Sequence, residues 1–221
     1  MLTKAQEKLI RSLQHNKDRE QHGLCLVEGD KAMETAGSAV DFIFTREDTA
    51  EFDRLVTTET PQDRAAIARI PHWKETDIAN YPILVVLDGV QDPGNVGAIL
   101  RLCLGFNAAL LLIESADVTA PKVIRASAGA MFQVPWLKMS PTVAAEYLTN
   151  SGRLFFRLEK RADAVSPEIL TGQEHLAIIA GSEGQGIRLT IPGISIEIPH
   201  DPRLESLNVT HALAIALYSM R

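Results

Sequence analysis

At 221 residues, 46% hydrophobic and 23% charged, the chain has the composition of an ordinary globular protein and the length for one large domain or two small ones. The net charge of −6 argues against strong unspecific nucleic-acid binding, which draws on phosphate neutralisation, and the longest apolar runs (83–87, 108–113, 176–180) are strand-length, far short of a membrane span. Cys25 and Cys103 stand alone in apolar runs with no metal-ligand spacing around them, which points to buried thiols in a reducing, cytoplasmic compartment, with no metal implied.

In chain order, residues 3–16 read as one amphipathic helix with Leu9, Ile10 and Leu13 at helical spacing. Lys4, Lys8, Arg11, Lys17 and Arg19 interleave with Glu7, Asp18 and Glu20, the pattern of a solvated helix face more than of a basic patch. A strand at 23–27, a turn at Glu28-Gly29-Asp30, a helix at 31–36 and a strand at 40–45 follow. Short sheet pieces are expected at 55–58 and 65–70, completing a small α/β unit. Prolines and polar residues between Pro71 and Pro82 interrupt the periodicity, so the chain divides into residues 1–78 and 79–221.

Beyond that boundary, strands are expected at 83–87, 109–113, 134–137, 154–158, 176–180 and 194–198. Helices are expected between them at 96–104, 122–131 and 141–148, and a last one at 210–220. Strands alternating with helices imply an α/β fold built on a mostly parallel sheet covered on both faces. In such sheets, ligands gather at the loops that follow the strands.

Three of those loops carry polar residues among small ones. Asn95-x-Gly97-Ala98-x-x-Arg101 puts a carboxamide at a helix entrance and a guanidinium among Ile99, Leu100, Leu102 and Leu104. Capping alone accounts for Asn95, but an arginine with apolar neighbours needs a partner or an exit to solvent. Gly181-Ser182-Glu183-Gly184-Gln185-Gly186 is a turn with a carboxylate at its centre and matches neither dinucleotide nor P-loop spacing. Ser206 and Asn208 open the final helix, which is apolar nearly all round and suited to a core or a subunit interface. His211, alone on that helix, reads as a core or interface histidine.

Taken together, the run from Leu87-Asp88-Gly89 through Asp92-Pro93-Gly94-Asn95 to Arg101, the Gly181–Gly186 loop, and Ile198-Pro199 with Glu205-Ser206-Leu207-Asn208-Val209-Thr210 resemble the three motifs of the SpoU/TrmH family of RNA ribose 2′-O-methyltransferases in the SPOUT superfamily. Arg125-Ala126-Ser127-Ala128-Gly129-Ala130 also looks like a stretch common in these proteins, and Gly23 to Asp30 resembles the family's small substrate-binding domain. The resemblance implies a C-terminal trefoil-knotted sheet that pairs as a homodimer, and S-adenosyl-L-methionine held by backbone groups around Gly181, Ile198, Pro199 and Leu207 with help from Ser206 and Asn208. It implies transfer of a methyl group to a ribose of RNA, ribosomal more than transfer, with Arg101, Asn95 and Glu183 at the reacting hydroxyl. Where relatives commonly have Met after Ile-Pro and Gly two residues later, this chain has His200-Asp201-Pro202-Arg203, and Pro202 removes a backbone donor. The alternative reading is a non-catalytic RNA-binding relative of the same fold.

Overall fold

The computed structural model describes residues 1–221. The chain opens with helices α1 (Lys4–Ser12) and α2 (Asn16–His22), then strand β1 (Leu24–Glu28), helix α3 (Asp30–Ala36), strand β2 (Val40–Thr45), the short helix α4 (Phe52–Leu55) and strand β3 (Arg64–Arg69). The strands form an antiparallel sheet in the order β1-β3-β2. One side of it packs on Ile10, Leu13, Phe52 and Leu55.

Two expectations change here. The single helix at 3–16 is two helices, because the chain extends at His15 (φ −99°, ψ 138°). The carbonyls of Leu13 and Gln14, freed at that break, accept hydrogen bonds of 2.9 Å each from the buried Arg19 guanidinium. Arg19 therefore belongs to the interior and not to a basic face. The segment at 55–58 is not a sheet piece: α4 ends at Leu55, and the N–H groups of Thr57 and Thr58 turn inward to the carboxylate of Glu28 at 2.8 and 3.1 Å. A buried carboxylate needs such donors, and it wins over the β-propensity of the local sequence.

After helix α5 (Glu75–Ala79) the chain forms β4 (Ile83–Asp88), α6 (Pro93–Gly105), β5 (Ala108–Ile113), α7 (Pro121–Ala126), β6 (Trp136–Met139), α8 (Pro141–Asn150), β7 (Leu154–Leu158), β8 (Leu176–Gly181), β9 (Ile194–Ile196) and α9 (Val209–Tyr218). The six strands pair in parallel in the order β6-β5-β4-β8-β7-β9. β4 and β8 are buried almost from end to end, as their unbroken apolar runs require of central parallel strands. The helix expected at 122–131 stops at Ala126, because Ala128 and Gly129 both take positive φ. Gly129 lies against α3, where a Cβ would sit 2.8 Å from the carbonyl oxygen of Ala32.

α6 and α9 cover one face of this sheet, and their core runs without a break into Cys25, Val27, Met33, Ala66 and Ala68 of the smaller sheet. The other face packs on Ala144 and Leu148 of α8 and on Leu189 and Ile191. Burial pushes the Cys25 thiol up to about 12, so it behaves as a small hydrophobe.

Three ion pairs join the N-terminal part to the parallel-sheet part, the longest of them Lys138 Nζ to Glu20 Oε1 at 4.0 Å. Arg125 binds the buried Glu28 carboxylate. Arg19 Nη2 lies 2.5 Å from Asp117 Oδ2, and Lys138 Nζ lies 2.6 Å from Asp117 Oδ1. Burial alone would raise the Asp117 carboxyl, but hydrogen bonds from Lys138 and Arg19 outweigh it and hold its pKa below the ordinary value. The stabilisation from a depressed carboxyl is present above its unfolded pKa, about 3.9, and is lost as pH falls through the lowered value. Asp117→Asn, which strands the Arg19 charge in the interior, is expected to cost about 3 kcal/mol at pH 7. Chemical denaturation at pH 7 and at lower pH checks this, with the gap to wild type closing as the carboxyl protonates.

Candidate active site

The strand order reverses at β4: the chain builds outward through β5 and β6 on one side, and β8, β7 and β9 lie on the other. Crevices open outside the carboxyl ends of strands at such a point. Two clefts lie there side by side.

The first, of about 410 Å³, sits over the ends of β7, β8 and β9. Ala180, Ile187, Ile196 and Ala212 give it apolar walls, and Gly181, Ile198, Ser206 and Leu207 contribute to its lining. Glu159, Glu183, Glu197 and Glu205 place carboxylates around it, with Lys160 as a basic group. His200, from the segment that departs from the family pattern, also lines it, and its Nδ1 lies 2.6 Å from the Ile198 carbonyl oxygen. Asp201 and Arg203 pair with each other at 2.9 Å. Pro199 is exposed and lies outside the lining.

The loop after β8 is folded tightly. Ser182 N–H donates to the Asp88 carbonyl at 3.1 Å, and Gly186 N–H donates back to the Ser182 carbonyl at 2.9 Å. Gly181 lies so close to Gly186 that an added Cβ would stand 2.1 Å from its carbonyl carbon. Asp88, buried at the end of β4, accepts the backbone N–H groups of Arg188 and Leu189 at 2.6 Å each and so ties down the loop's exit.

Asn208 brings all three loops together. Its Oδ1 caps α9 by accepting from Thr210 N–H at 2.9 Å. Its Nδ2 donates to Asn95 Oδ1 and to Glu183 Oε1, both at 3.0 Å. Thr210 Oγ1 adds a longer contact of 3.4 Å to Asn95 Oδ1. Asn95 does not cap α6; Asp92 does, accepting the Asn95 N–H at 2.8 Å. That frees the Asn95 carboxamide to face the other loops. Arg101 lies apart: it is exposed on α6, makes no hydrogen bond or ion pair, and lines neither cleft.

The second cleft, of about 370 Å³, shares Ser182, Glu183, Gln185 and Val209 with the first and extends over β4 and β5. It contains Asn95 and is bounded by Gln91, Glu114 and Arg188. Arg188 Nη2 lies 2.6 Å from Glu114 Oε2 and 3.5 Å from Asp88 Oδ1. Sequence reasoning missed these last residues, although Asp88 gave a sign of itself as a carboxylate closing an apolar strand.

Residues 82–218 match the model of the SpoU rRNA Methylase family. The 23S rRNA (guanosine(2553)-2′-O)-methyltransferase RlmP of Bacillus subtilis is 30% identical over 175 residues, spanning 77% of this chain and 69% of its own. The 23S rRNA (adenosine(1067)-2′-O)-methyltransferase of Streptomyces azureus is 31% identical over 179 residues, 77% of this chain and 66% of its own. Among solved structures, a TrmH-family protein from Porphyromonas gingivalis superposes with a TM-score of 0.85 at 28% identity, covering 100% of this chain and 98% of the other. The AdoMet-bound rRNA methyltransferase of Sinorhizobium meliloti shares the fold with a TM-score of 0.86 at 21% identity, over 99% and 95% of the two chains.

Proposed function

The chain belongs to the SpoU rRNA methylase family, and from that premise we propose that it methylates a ribose 2′-hydroxyl of RNA, ribosomal RNA in particular, using S-adenosyl-L-methionine. The hydrogen bonds by which Asn208, itself outside both linings, joins Asn95 of the second cleft to Glu183 of the shared wall carry this reading. A methyl transfer needs two adjacent sites, one for donor and one for acceptor, meeting at a polar boundary. The B. subtilis and S. azureus relatives, named for 23S rRNA 2′-O-methylation, support both the reaction and the class of RNA.

The first cleft fits the cofactor. Its apolar walls suit an adenine ring, its carboxylates suit a sulfonium and an ammonium, and the close approach at Gly181 leaves the backbone bare. Gly181, Ile198 and Leu207 would hold the cofactor by backbone groups, with Ser206 at the rim and Pro199 shaping the turn behind it. When bound, S-adenosyl-L-methionine supplies an electrophilic methyl group.

The chain's own contribution is positional. Asn208 spends both amide protons on Asn95 and Glu183, which locks the two side chains relative to the end of β8. Glu183, with lone pairs to spare at the boundary of the clefts, would accept the hydrogen bond of the attacking hydroxyl. Arg101 would anchor a substrate phosphate and the developing alkoxide; as a guanidinium with a pKa above about 12 it is unsuited to take the proton.

Arg101 reaches neither cleft of its own chain, and we place it at a second copy. Its helix also exposes Leu104, and α9, which packs on α6, exposes Ile215 and Tyr218; the three are 46%, 42% and 69% exposed. Exposed apolar side chains on two packed helices, one of which also carries an unpaired arginine, suit a twofold interface in which each copy lends Arg101 to the other's site. The division of labour follows the sheets: residues 1–78 would grip the RNA, and 79–221, wound as the superfamily's trefoil knot, would carry out the transfer.

Asn208→Ala removes the link among the three loops and the cap of α9 together. Calorimetric titration with S-adenosyl-L-methionine is expected to show affinity reduced about thirtyfold, since a lost cap and a lost hydrogen-bond pair are each worth about 1 kcal/mol. Unchanged affinity would remove Asn208 from the cofactor site.

A further inference from the structure

We propose that the second cleft receives the base of the nucleotide being methylated and that its lining selects guanine. This rests on the methyltransferase reading above and goes further by assigning residues to substrate choice. The position comes first: the cleft shares the Ser182, Glu183 and Val209 wall with the cofactor cleft and contains Asn95. A ribose presenting its hydroxyl at that wall has its own base within the second cleft. Sequence-specific recognition of RNA targets bases free of their stack and reads their exposed edges by hydrogen bonds.

Charge then separates base from phosphate. Around the cleft, Asp92, Glu114 and Glu183 outnumber the one cation, Arg188, whose guanidinium is already held by Glu114 and Asp88. This lining repels phosphodiester and attracts hydrogen-bond donors.

The array of groups narrows the choice. Glu114 is half exposed, engages Arg188 through Oε2 at 2.6 Å, and keeps Oε1 and further lone pairs open. Arg188 makes only these carboxylate contacts with its side chain, leaving N–H groups over. Side by side, the pair offers acceptor, acceptor and donor. Guanine presents the complement on its Watson–Crick edge: the N2 amino group, N1–H and O6. Adenine and cytosine would set a ring nitrogen lone pair against the carboxylate, and uracil would set its carbonyl oxygens there, both repulsive. Gln91 steadies the array by donating its Nε2–H to the Glu114 carbonyl.

The test is a nuclear magnetic resonance titration of the full chain, saturated with S-adenosylhomocysteine, with GMP and with UMP. GMP is expected to bind at least about tenfold tighter than UMP, the discrimination typical of one good bidentate contact, and to shift the amides of Gly89, Gln91 and Arg188. Glu114→Gln, which turns an N–H donor toward guanine's donors, is expected to cut GMP affinity about tenfold, to ease UMP binding by removing the repulsion of its carbonyl oxygens, and to leave S-adenosylhomocysteine binding as in wild type. Equal binding of the two nucleotides, no binding of either, or GMP affinity untouched by Glu114→Gln overturns the assignment while the cofactor reading stands. Failure of S-adenosylhomocysteine to bind at all overturns both.

Discussion

Arg101→Lys should keep cofactor affinity within about twofold of wild type and lower methyl transfer by about 10²- to 10³-fold, the loss seen when one preorganised donor to a developing oxyanion is removed. The first half follows from position. Arg101 lines neither cleft and touches no residue that does through a hydrogen bond or ion pair, so the cofactor site does not sense its length or shape. The second half follows from chemistry. A guanidinium grips a phosphate or alkoxide with two parallel N–H groups in a fixed plane, while an ammonium on a flexible stem keeps the charge and loses the fork. An electrostatic role alone would leave lysine nearly as good as arginine. Single-turnover transfer of labelled methyl, measured beside calorimetric cofactor binding, separates the two, and a fully active lysine variant would remove Arg101 from the chemistry.

Gly181→Ala is expected to lose both stability and the cofactor site. A Cβ at residue 181 would stand 2.1 Å from the carbonyl carbon of Gly186, 2.2 Å from its oxygen and 2.4 Å from Ile187 N. All three are backbone atoms, so no rotamer change relieves the overlap. The loop must move, and it is held at Asp88 by the Ser182, Arg188 and Leu189 N–H groups. Overpacking of this kind costs about 3 kcal/mol, the upper part of the usual range. For a chain of this length that lowers Tm by about 6–12 °C. Gly184, three residues on, has no atom within 4 Å of its would-be Cβ. Gly184→Ala is therefore the matched control and should melt close to wild type. Differential scanning calorimetry of both variants reads the contrast, and a Gly181→Ala protein as stable as the control would contradict the packing argument.

These two residues mark what the sequence discloses. The strands of the parallel sheet are legible because each is an apolar run closed by small or polar residues, and the stop of α6 is legible in Gly105-Phe106-Asn107. Their order is not. β8 lies between β4 and β7 although 87 residues of chain (89–175) separate it from β4, and the three apolar strands are interchangeable by composition. The break between α1 and α2 is hidden for the same reason: it is settled by Arg19 taking the freed carbonyls of Leu13 and Gln14 and reaching Asp117, a partner 98 residues away.

Asn95, Glu183 and Asn208 can be singled out from their loops, and the family likeness supplies their common purpose. Asn95 reads as a helix cap until Asp92 is seen to fill that role. The cluster of Asp88, Glu114 and Arg188 has no linear signature, since Arg188 meets Glu114 across 74 residues and Asp88 across 100. Arg153 is a further case. It stands just before the strand expected at 154–158, yet it is buried and donates to the carbonyls of Ile78, Ala79, Pro82 and Leu176 and, at 2.7 Å, of Tyr81. Only tertiary structure brings those acceptors together.

The central claim is transfer of a methyl group to ribose, and one measurement addresses it directly. Purified protein is incubated with S-adenosyl-L-methionine labelled in its methyl group and an unmodified 23S rRNA transcript, and the RNA is digested to nucleosides for mass spectrometry. The account predicts label in a single 2′-O-methylnucleoside, at a linkage that resists alkali because the neighbouring phosphate has lost its internal nucleophile. Label on a base would contradict the ribose assignment. RNA that binds the protein and returns unlabelled would make the chain a binding relative of the fold and not a catalyst.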